Sequence, residues 1–255
     1  MKKPYLKKYG SILGFTVWIV DGNYIRNHIN LEFNNFGQHH RFRFIPKKEF
    51  WIDKGHRGGE EKYYITHMLI EQKMMSGGKN NGKVLENYGR ALKKADLAEK
   101  RERLKSIPHN LRKNLPKKEI IKLVHKNLLK EYSNDLKVWV VDGNLVRTLL
   151  NLNFTQGGND KYYSFIPKNE VWIDDQIIPA ERKFVILHEL HERNLMCQGW
   201  QYYPGSEFDK KHNSKNKLPR YAHSSAIMIE KLCRKNPHLL DKKLREVVAK
   251  SNKIP

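Results

Sequence analysis

Apolar and polar positions recur in the same order in the two halves of the chain. The runs "VWIVD" (17–21) and "VWVVD" (138–142) are β-branched and contain Trp, which favours strands. Each is followed by "DGN", which predicts a turn, and then by "INLEF…RFRFIP…EFWID" or "LNLNF…KYYSFIP…EVWID". These patterns predict three further strands in each half, forming a short antiparallel sheet.

Helical periodicity follows each set of strands. The stretches 60–75 and 181–196 predict one helix in each half. Pro179 suits the start of the second of these helices, and Gly78 and Gly199 suit the two ends. A further helix is predicted in each half at "VLENYGRALKKADLAEKRERL" and "PRYAHSSAIMIEKLCRK". Between the halves, "KKEIIKLVHKNLLKEY" has apolar residues at helical spacing at Ile120, Ile121, Val124, Leu128 and Leu129.

The sequence contains an internal repeat. Val17–Asp53 recurs without a gap as Val138–Asp174, 121 residues later, and "YLKKY" is echoed by "LLKEY" at Leu128–Tyr132. We therefore predict an α+β protein made of two tandem copies of a small domain, each a short antiparallel sheet plus two helices, joined by a basic helical linker. The predicted boundaries are 1–100 for the first repeat, 101–127 for the linker and 128–255 for the second repeat.

Features present in both copies are predicted to serve the fold. The "DGN" residues Asp21 and Asp142 are expected to cap a turn, and Arg26 and Arg147 to pair with a carboxylate. The paired tryptophans are expected in the core: Trp18, Trp139, Trp51 and Trp172. The apolar N-terminal run is predicted to be a strand and not a signal peptide, because its counterpart lies in mid-chain.

The composition indicates which cell compartment and which binding partners to expect. The chain has 49 Lys and Arg against 27 Asp and Glu, a net charge of +22, which predicts nucleic acid or another polyanion as partner. The alternative is a basic protein whose Lys content reflects an AT-rich genome. Two cysteines give no disulfide framework, so we expect a reducing, intracellular location or a virus particle, not secretion. No apolar run reaches the roughly 18 residues that span a bilayer, so no membrane is expected.

The second copy carries candidate metal ligands. His188 and Glu192 are four residues apart and therefore share one helix face, where an imidazole and a carboxylate could bind one Zn²⁺. His223 on the next helix is the predicted third ligand, and His191 is a reserve. In the first copy His67 and Glu71 align with His188 and Glu192, but Met68 aligns with Glu189 and Arg90 is set opposite His223. This contrast predicts an active second copy and a degenerate first copy.

The motif also resembles a known family. "HELHE" followed by "AHSSAIMIE" is similar to a minimal zincin metallopeptidase site, over Glu181–Glu230, in a tandemly duplicated domain like those of uncharacterised phage and virus proteins. The resemblance implies that His188 and Glu192 are zinc ligands and that Glu189 is the catalytic general base acting on a peptide substrate. The sequence departs from the family at Glu192, where zincins have His, which adds negative charge and weakens the Lewis acidity of zinc.

Two hypotheses follow for the function. The first is a zinc-dependent hydrolase of the zincin-like peptidase type, with its active site in the second repeat. The alternative is a non-enzymatic basic structural protein that binds nucleic acid or is packed in a large assembly such as a virus particle. In the alternative, the His and Glu residues would form a structural or vestigial metal site, or a polar network on the helix.

Overall fold

The computed structural model describes residues 4–55, 59–76, 84–112, 115–202 and 221–252. The chain forms two compact units, one of Met1–Pro116 with Asn144–Asn153 and the other of Lys117–Gly143 with Phe154–Pro255. The predicted linker at 101–127 is therefore divided between the two units. Each unit combines one four-stranded sheet with helices, so the structure is mixed α and β.

The first sheet contains both parallel and antiparallel pairs. Its strands are β1 (Tyr5–Ile12), β2 (Phe15–Val20), β3 (Phe36–Gln38) and β4 (Glu49–Asp53), in the order β1-β2-β4-β3. β1 and β3 pair antiparallel with their neighbours, but β2 and β4 are parallel. The prediction of an antiparallel sheet is thus wrong for the central pair. The reason is the long connection between β2 and β4, which contains a helix and returns the chain to the same end of the sheet.

The "DGN" stretch begins a helix instead of a tight turn. The helices of this half are α1 (Gly22–His28), α2 (Glu61–Ser76), α3 (Val84–Ser106) and α4 (His109–Arg112). The Asp21 carboxylate accepts a hydrogen bond from the Tyr24 backbone N–H at 2.9 Å, which is an N-cap. Arg26 pairs with buried Asp53 at 2.7 Å. Both residues therefore have the structural roles that the repeat predicts.

Two of the predicted strands in each half are turns. Residues 29–33 and 41–46 form no strand, and neither do their counterparts at 150–154 and 161–167. Phe33, Phe42 and Ile45 lie buried in one core cluster with Trp51. The alternation of apolar and polar residues there reflects side-chain burial from turns and not strand pairing, so the period-two pattern gave the wrong structure.

The second sheet has the same order and directions as the first. Its strands are β5 (His125–Leu128), β6 (Lys137–Val141), β7 (Gly157–Asn159) and β8 (Glu170–Asp174), in the order β5-β6-β8-β7. β6 and β8 are parallel, and the outer pairs are antiparallel. The remaining elements are α5 (Lys117–Val124), α6 (Gly143–Leu145), a π-helix (Val146–Leu150), α7 (Pro179–Cys197), α8 (Ala222–Lys235), α9 (Leu240–Ser251) and 3-10 turns at Lys130–Tyr132 and Pro237–Leu239.

The helix predicted from residue 117 onward ends at Val124. The following residues form β5, because the His125 ring stacks on Trp139 with centroids 4.3 Å apart and its Nε2 lies 3.0 Å from Glu170 Oε2. These tertiary contacts override the helical spacing. His125 lies opposite Val141 in its sheet as Tyr5 lies opposite Val20. The echo of "YLKKY" at Leu128–Tyr132 is therefore out of register with the strands.

The larger core lies between the second sheet and the helices α7 and α9. Its buried members include Val138, Val171, Ile173, Leu187 and Leu244. Trp51 and Trp172 are buried as predicted, whereas Trp18 and Trp139 are only partly buried. Within the described ranges, none of the helices is long and apolar enough to cross a membrane.

Candidate metal centre

Helix α7 carries most of the candidate site. It begins at Pro179 as predicted, and Gly199 follows its end with φ of 85°. Buried Val185, Leu187 and Leu190 pack one side of the helix into the core. The helix contacts α8, α9, β7 and β8. This packing fixes the direction in which the polar residues of the motif point.

Three predicted ligands converge on one point. His188 Nε2 lies 3.2 Å from His223 Nδ1 and 3.5 Å from Glu192 Oε2, and the His223 and Glu192 atoms are 2.8 Å apart. In a tetrahedral zinc site with bonds of about 2.0–2.1 Å, ligand atoms lie about 3.3 Å apart. The three donor atoms therefore lie close enough together for one divalent cation to bind among them.

A chain of buried charges holds His188 in place. Glu230 Oε2 lies 2.9 Å from His188 Nδ1, the ring nitrogen that faces away from the triangle. Arg234 donates to Glu230 at 2.9 Å and, through both terminal nitrogens, to Glu181 at 2.8 and 3.1 Å. Since its Nδ1 is hydrogen-bonded to Glu230, Nε2 is the His188 nitrogen that would bind a cation after losing its proton, as in many zinc sites.

The carboxylates of the site differ in their acidity. Burial, with the neighbouring charge of Glu192, raises the pKa of Glu189 to about 8. Burial acts to raise the pKa of Glu192 as well, but hydrogen bonds from His188 and His223 outweigh it and hold that pKa at about 2. Burial acts to lower the pKa of His188, yet Glu192 and Glu230 together raise it well above 6.5. The site is thus rich in negative charge and stabilises positive charge at its centre.

His191 is directed elsewhere. Its Nε2 lies 3.0 Å from Ser225 Oγ, and burial lowers its pKa to about 4. The described donor atoms that meet at one point belong to His188, Glu192 and His223, without His191. The reserve ligand of the sequence prediction is therefore not brought into the cluster.

The first unit contains the same chain of charges, but its described residues form no equivalent cluster of three donor atoms. His67 Nδ1 lies 2.9 Å from Glu99 Oε2, Glu99 accepts from Arg103 at 2.8 Å, and Arg103 contacts Glu60. Glu99 and Arg103 therefore occupy the positions of Glu230 and Arg234, 131 residues later.

This register places Leu92 opposite His223. The sequence alignment that set Arg90 opposite His223 is wrong by two residues, because buried contacts and not matching letters define the helix register. Ala91 and Ala95, both fully buried, correspond to fully buried Ala222 and Ala226 in the same register.

Two groups beside the donor atoms were not predicted from the sequence. Asn159, the last residue of β7, donates to Glu192 Oε1 at 2.8 Å and to Glu189 Oε2 at 3.1 Å. Tyr202 stacks on Tyr162 with centroids 3.9 Å apart, and its ring lies 5.1 Å from that of His223. Gln38, which stands 121 residues earlier, donates in the same way to Glu71, but this contact is visible only in the structure.

The second unit therefore has two imidazoles and a carboxylate at one point, with a second carboxylate beside them. Such a donor set is able to hold a divalent cation. Comparisons of the chain with protein-family models, with curated proteins and with solved structures find no match.

Proposed function

We propose that the second unit is a zinc-dependent hydrolase site that cleaves peptide bonds. His188, Glu192 and His223 are the metal ligands, and Glu189 is the general base. The observation that carries the proposal is the triangle of donor atoms with edges of 2.8, 3.2 and 3.5 Å. Two imidazole nitrogens favour zinc over magnesium or calcium, which prefer oxygen ligands.

The position of Glu189 supports hydrolysis over a purely structural site. A divalent cation would supply Lewis acidity, which polarises a carbonyl group and makes a water molecule more acidic. Glu189 follows the first ligand, is hydrogen-bonded to Asn159, and is not needed to complete the triangle. The positive charge of a bound cation would lower the pKa of Glu189 from about 8, and the ionised carboxylate could then take a proton from water and pass it to the leaving amine.

We also propose that the two halves arose by duplication and that the first half has lost the site. The supporting observations are the repeat at a separation of 121 residues, the identical strand order and the two matching His–Glu–Arg–Glu chains. The first half keeps His67 and Glu71. It has Leu92 and Met68 in place of the second His and the base.

The metal content of the purified full-length protein tests the proposal. We expect one zinc per chain by elemental analysis, with loss of the metal in His188→Ala. His67→Ala is the matched control, since it removes the equivalent histidine of the first unit, and it should retain the metal. A wild-type protein without bound zinc would exclude the proposed function.

Peptide hydrolysis separates a catalytic from a structural zinc. Glu189→Gln should keep its zinc and lose at least about a hundredfold in kcat, as expected for removal of a general base. A fluorogenic peptide library provides the substrate. If zinc is bound and Glu189→Gln hydrolyses peptides as fast as the wild type, the site is structural.

Nucleic-acid binding is a second candidate function, favoured by the outer face of α3. This face exposes the basic residues Arg90, Lys93, Lys94, Arg101 and Lys105. The equivalent positions 131 residues later, on α8 and at its two ends, hold Tyr221, Ser224, Ser225, Leu232 and Asn236. Since α8 packs in the same way without these charges, the fold does not require them.

The salt dependence of binding to a labelled duplex tests this second function. Replacing Lys93, Lys94 and Arg101 by Gln should lower the slope of log K against log salt by about 2–3, because each phosphate contact contributes about 0.9. Lys231→Gln with Lys235→Gln on α8 is the control pair. Equal losses per replaced residue in the two sets would show that the binding depends only on net charge.

A further inference from the structure

Asn159 has its amide orientation fixed by the backbone around it. It is fully buried at the end of β7. Its side-chain Oδ1 accepts hydrogen bonds from the N–H groups of Lys161 at 3.1 Å and Tyr162 at 3.2 Å. Its main-chain carbonyl accepts from Tyr163 at 3.0 Å. With Oδ1 occupied in this way, the amide nitrogen Nδ2 is turned towards α7.

The Nδ2 group of Asn159 donates hydrogen bonds to two carboxylates. Nδ2 lies 2.8 Å from Glu192 Oε1 and 3.1 Å from Glu189 Oε2. A side-chain amide carries two hydrogens on its nitrogen, so both bonds form together. One neutral group therefore connects the carboxylate in the donor triangle with the carboxylate beside it, without adding charge to a site that already holds several acids.

The two carboxylate oxygens of Glu192 therefore have different partners. Oε1 is bound by Asn159, while Oε2 is the atom that faces His223 at 2.8 Å and His188 at 3.5 Å. A carboxylate held by one oxygen in this way offers a cation only the other oxygen. The hydrogen bond thus limits Glu192 to one-oxygen coordination and keeps a position open for substrate.

We propose, on the basis of the function proposed above, that Asn159 is the positioning residue that holds Glu192 as a one-oxygen ligand and aims Glu189 at the open position. The first unit supports the specific purpose of the second hydrogen bond. There Gln38 donates to Glu71 at 2.9 Å, and Met68 stands where Glu189 would be. The bridging bond thus occurs in the unit that has a base to aim.

The close approach of β7 to α7 makes this bridge possible. A Cβ atom on Gly157 would lie 2.9 Å from Val185 Cγ1, closer than real Cβ atoms approach, and 3.0 Å from Glu189 Cγ, which is tighter than most real Cβ contacts. Glycine at this position lets the strand lie against the helix. Asn159, two residues later on the same strand, therefore reaches both carboxylates.

Zinc affinity of the full-length protein tests the proposal, measured by competition with a chelator. Asn159→Ala should weaken zinc binding by about 10–100-fold, the usual cost of losing a group that orients a ligand. It should also lower kcat more than it changes KM. Asn159→Gln, which keeps an amide donor, should bind zinc more tightly than Asn159→Ala. Gln38→Ala removes the equivalent amide of the first unit and should leave zinc affinity and kcat unchanged.

The outcomes separate this proposal from the function on which it rests. Wild-type zinc affinity and kcat retained in Asn159→Ala would overturn the role of Asn159 and leave the hydrolase intact. Equal weakening by Gln38→Ala would also overturn it. A wild-type chain that binds no zinc would remove both. If Asn159→Ala does not fold, X-ray absorption of the zinc-loaded wild type decides, because two Glu192 oxygens at bonding distance would contradict one-oxygen coordination.

Discussion

His188 Nδ1 lies 2.9 Å from the carboxylate of Glu230, and His188 Nε2 faces the carboxylate of Glu192, so the ring lies between the two acids. Glu230 is itself buried and paired with Arg234. The histidine therefore has its tautomer and direction set by a residue 42 positions later, on a different helix. Several expectations follow from this arrangement and its counterpart in the first unit.

Glu230→Gln should weaken zinc binding about 10–100-fold, because a neutral amide holds His188 less firmly than a carboxylate does. Chelator competition measures the effect. Glu99→Gln makes the same change in the first unit, beside His67, and should reduce thermal stability without altering zinc affinity. A loss of zinc affinity in Glu99→Gln would contradict the assignment of the site to the second unit.

His67 should make the stability of the protein fall at alkaline pH. Burial acts to lower its pKa, but hydrogen bonds with Glu71 and Glu99 outweigh burial and raise the pKa to about 9. Because the folded pKa lies above the unfolded value of about 6.5, the stabilisation is complete below pH 6.5 and disappears as the pH rises through 9.

Urea unfolding of the wild type and His67→Gln between pH 6 and 9.5 measures this effect. The difference in unfolding free energy should reach about 3 kcal/mol at the acid end and shrink towards the alkaline end. A constant difference over the whole range would show that His67 is not charged in the folded protein.

Glu60 should contribute stability that is lost in acid. Burial acts to raise the pKa of Glu60, but the charges and hydrogen bonds of Arg147 and Arg103 outweigh burial and lower this pKa to about 2. Since the folded pKa is below the unfolded value, the contribution is complete above about pH 4.5 and declines as the pH falls towards 2.

Glu60→Gln should destabilise the protein by about 3–5 kcal/mol at pH 7, because it removes the carboxylate that two buried guanidinium groups share. Urea unfolding at pH 7 and at pH 3 provides the measurement. Glu61→Gln, at the neighbouring partly buried position, is the control and should change the free energy of unfolding by much less.

Gly157→Ala should disturb the candidate metal centre, although Gly157 is not one of its donor residues. The added methyl group would contact Val185 and Glu189 and push β7 away from α7. We expect weaker zinc binding, measured by chelator competition, and lower kcat, measured by peptide hydrolysis. Gly10→Ala is the control, because nothing lies within 4 Å of a Cβ built there. Unchanged zinc binding in Gly157→Ala would show that the strand can shift without moving Asn159.

The residues of the donor cluster could be predicted from the sequence better than the residues around them. The spacing of His188 and Glu192 determines their shared helix face, and the helix at 222–235 brings His223 to the same place, so three residues could be named in advance. Glu230 and Asn159 could not be named, because their importance depends on how helix packs on helix and strand on helix. Tertiary contacts of this kind produce no periodic pattern in the sequence.

The errors in the fold have a similar origin. Residues 29–33 alternate in polarity as a strand does, yet Phe33 is buried from a turn. His125 continues a helical spacing, yet its ring stacks on Trp139 and its backbone joins a sheet. Local patterns record which side chains are buried, and the tertiary structure decides which backbone geometry buries them.

The grouping of Asn144–Asn153 with the first unit limits how the protein can be dissected. Arg147 donates to Glu60 at 3.0 Å, so a buried cation from the middle of the chain neutralises an acid near its beginning. A fragment that starts at residue 117 would carry Arg147 without Glu60, and the complementary fragment would keep Glu60 with Arg103 but without Arg147. No single cut yields two complete pieces, so zinc binding and hydrolysis should be measured on the intact polypeptide.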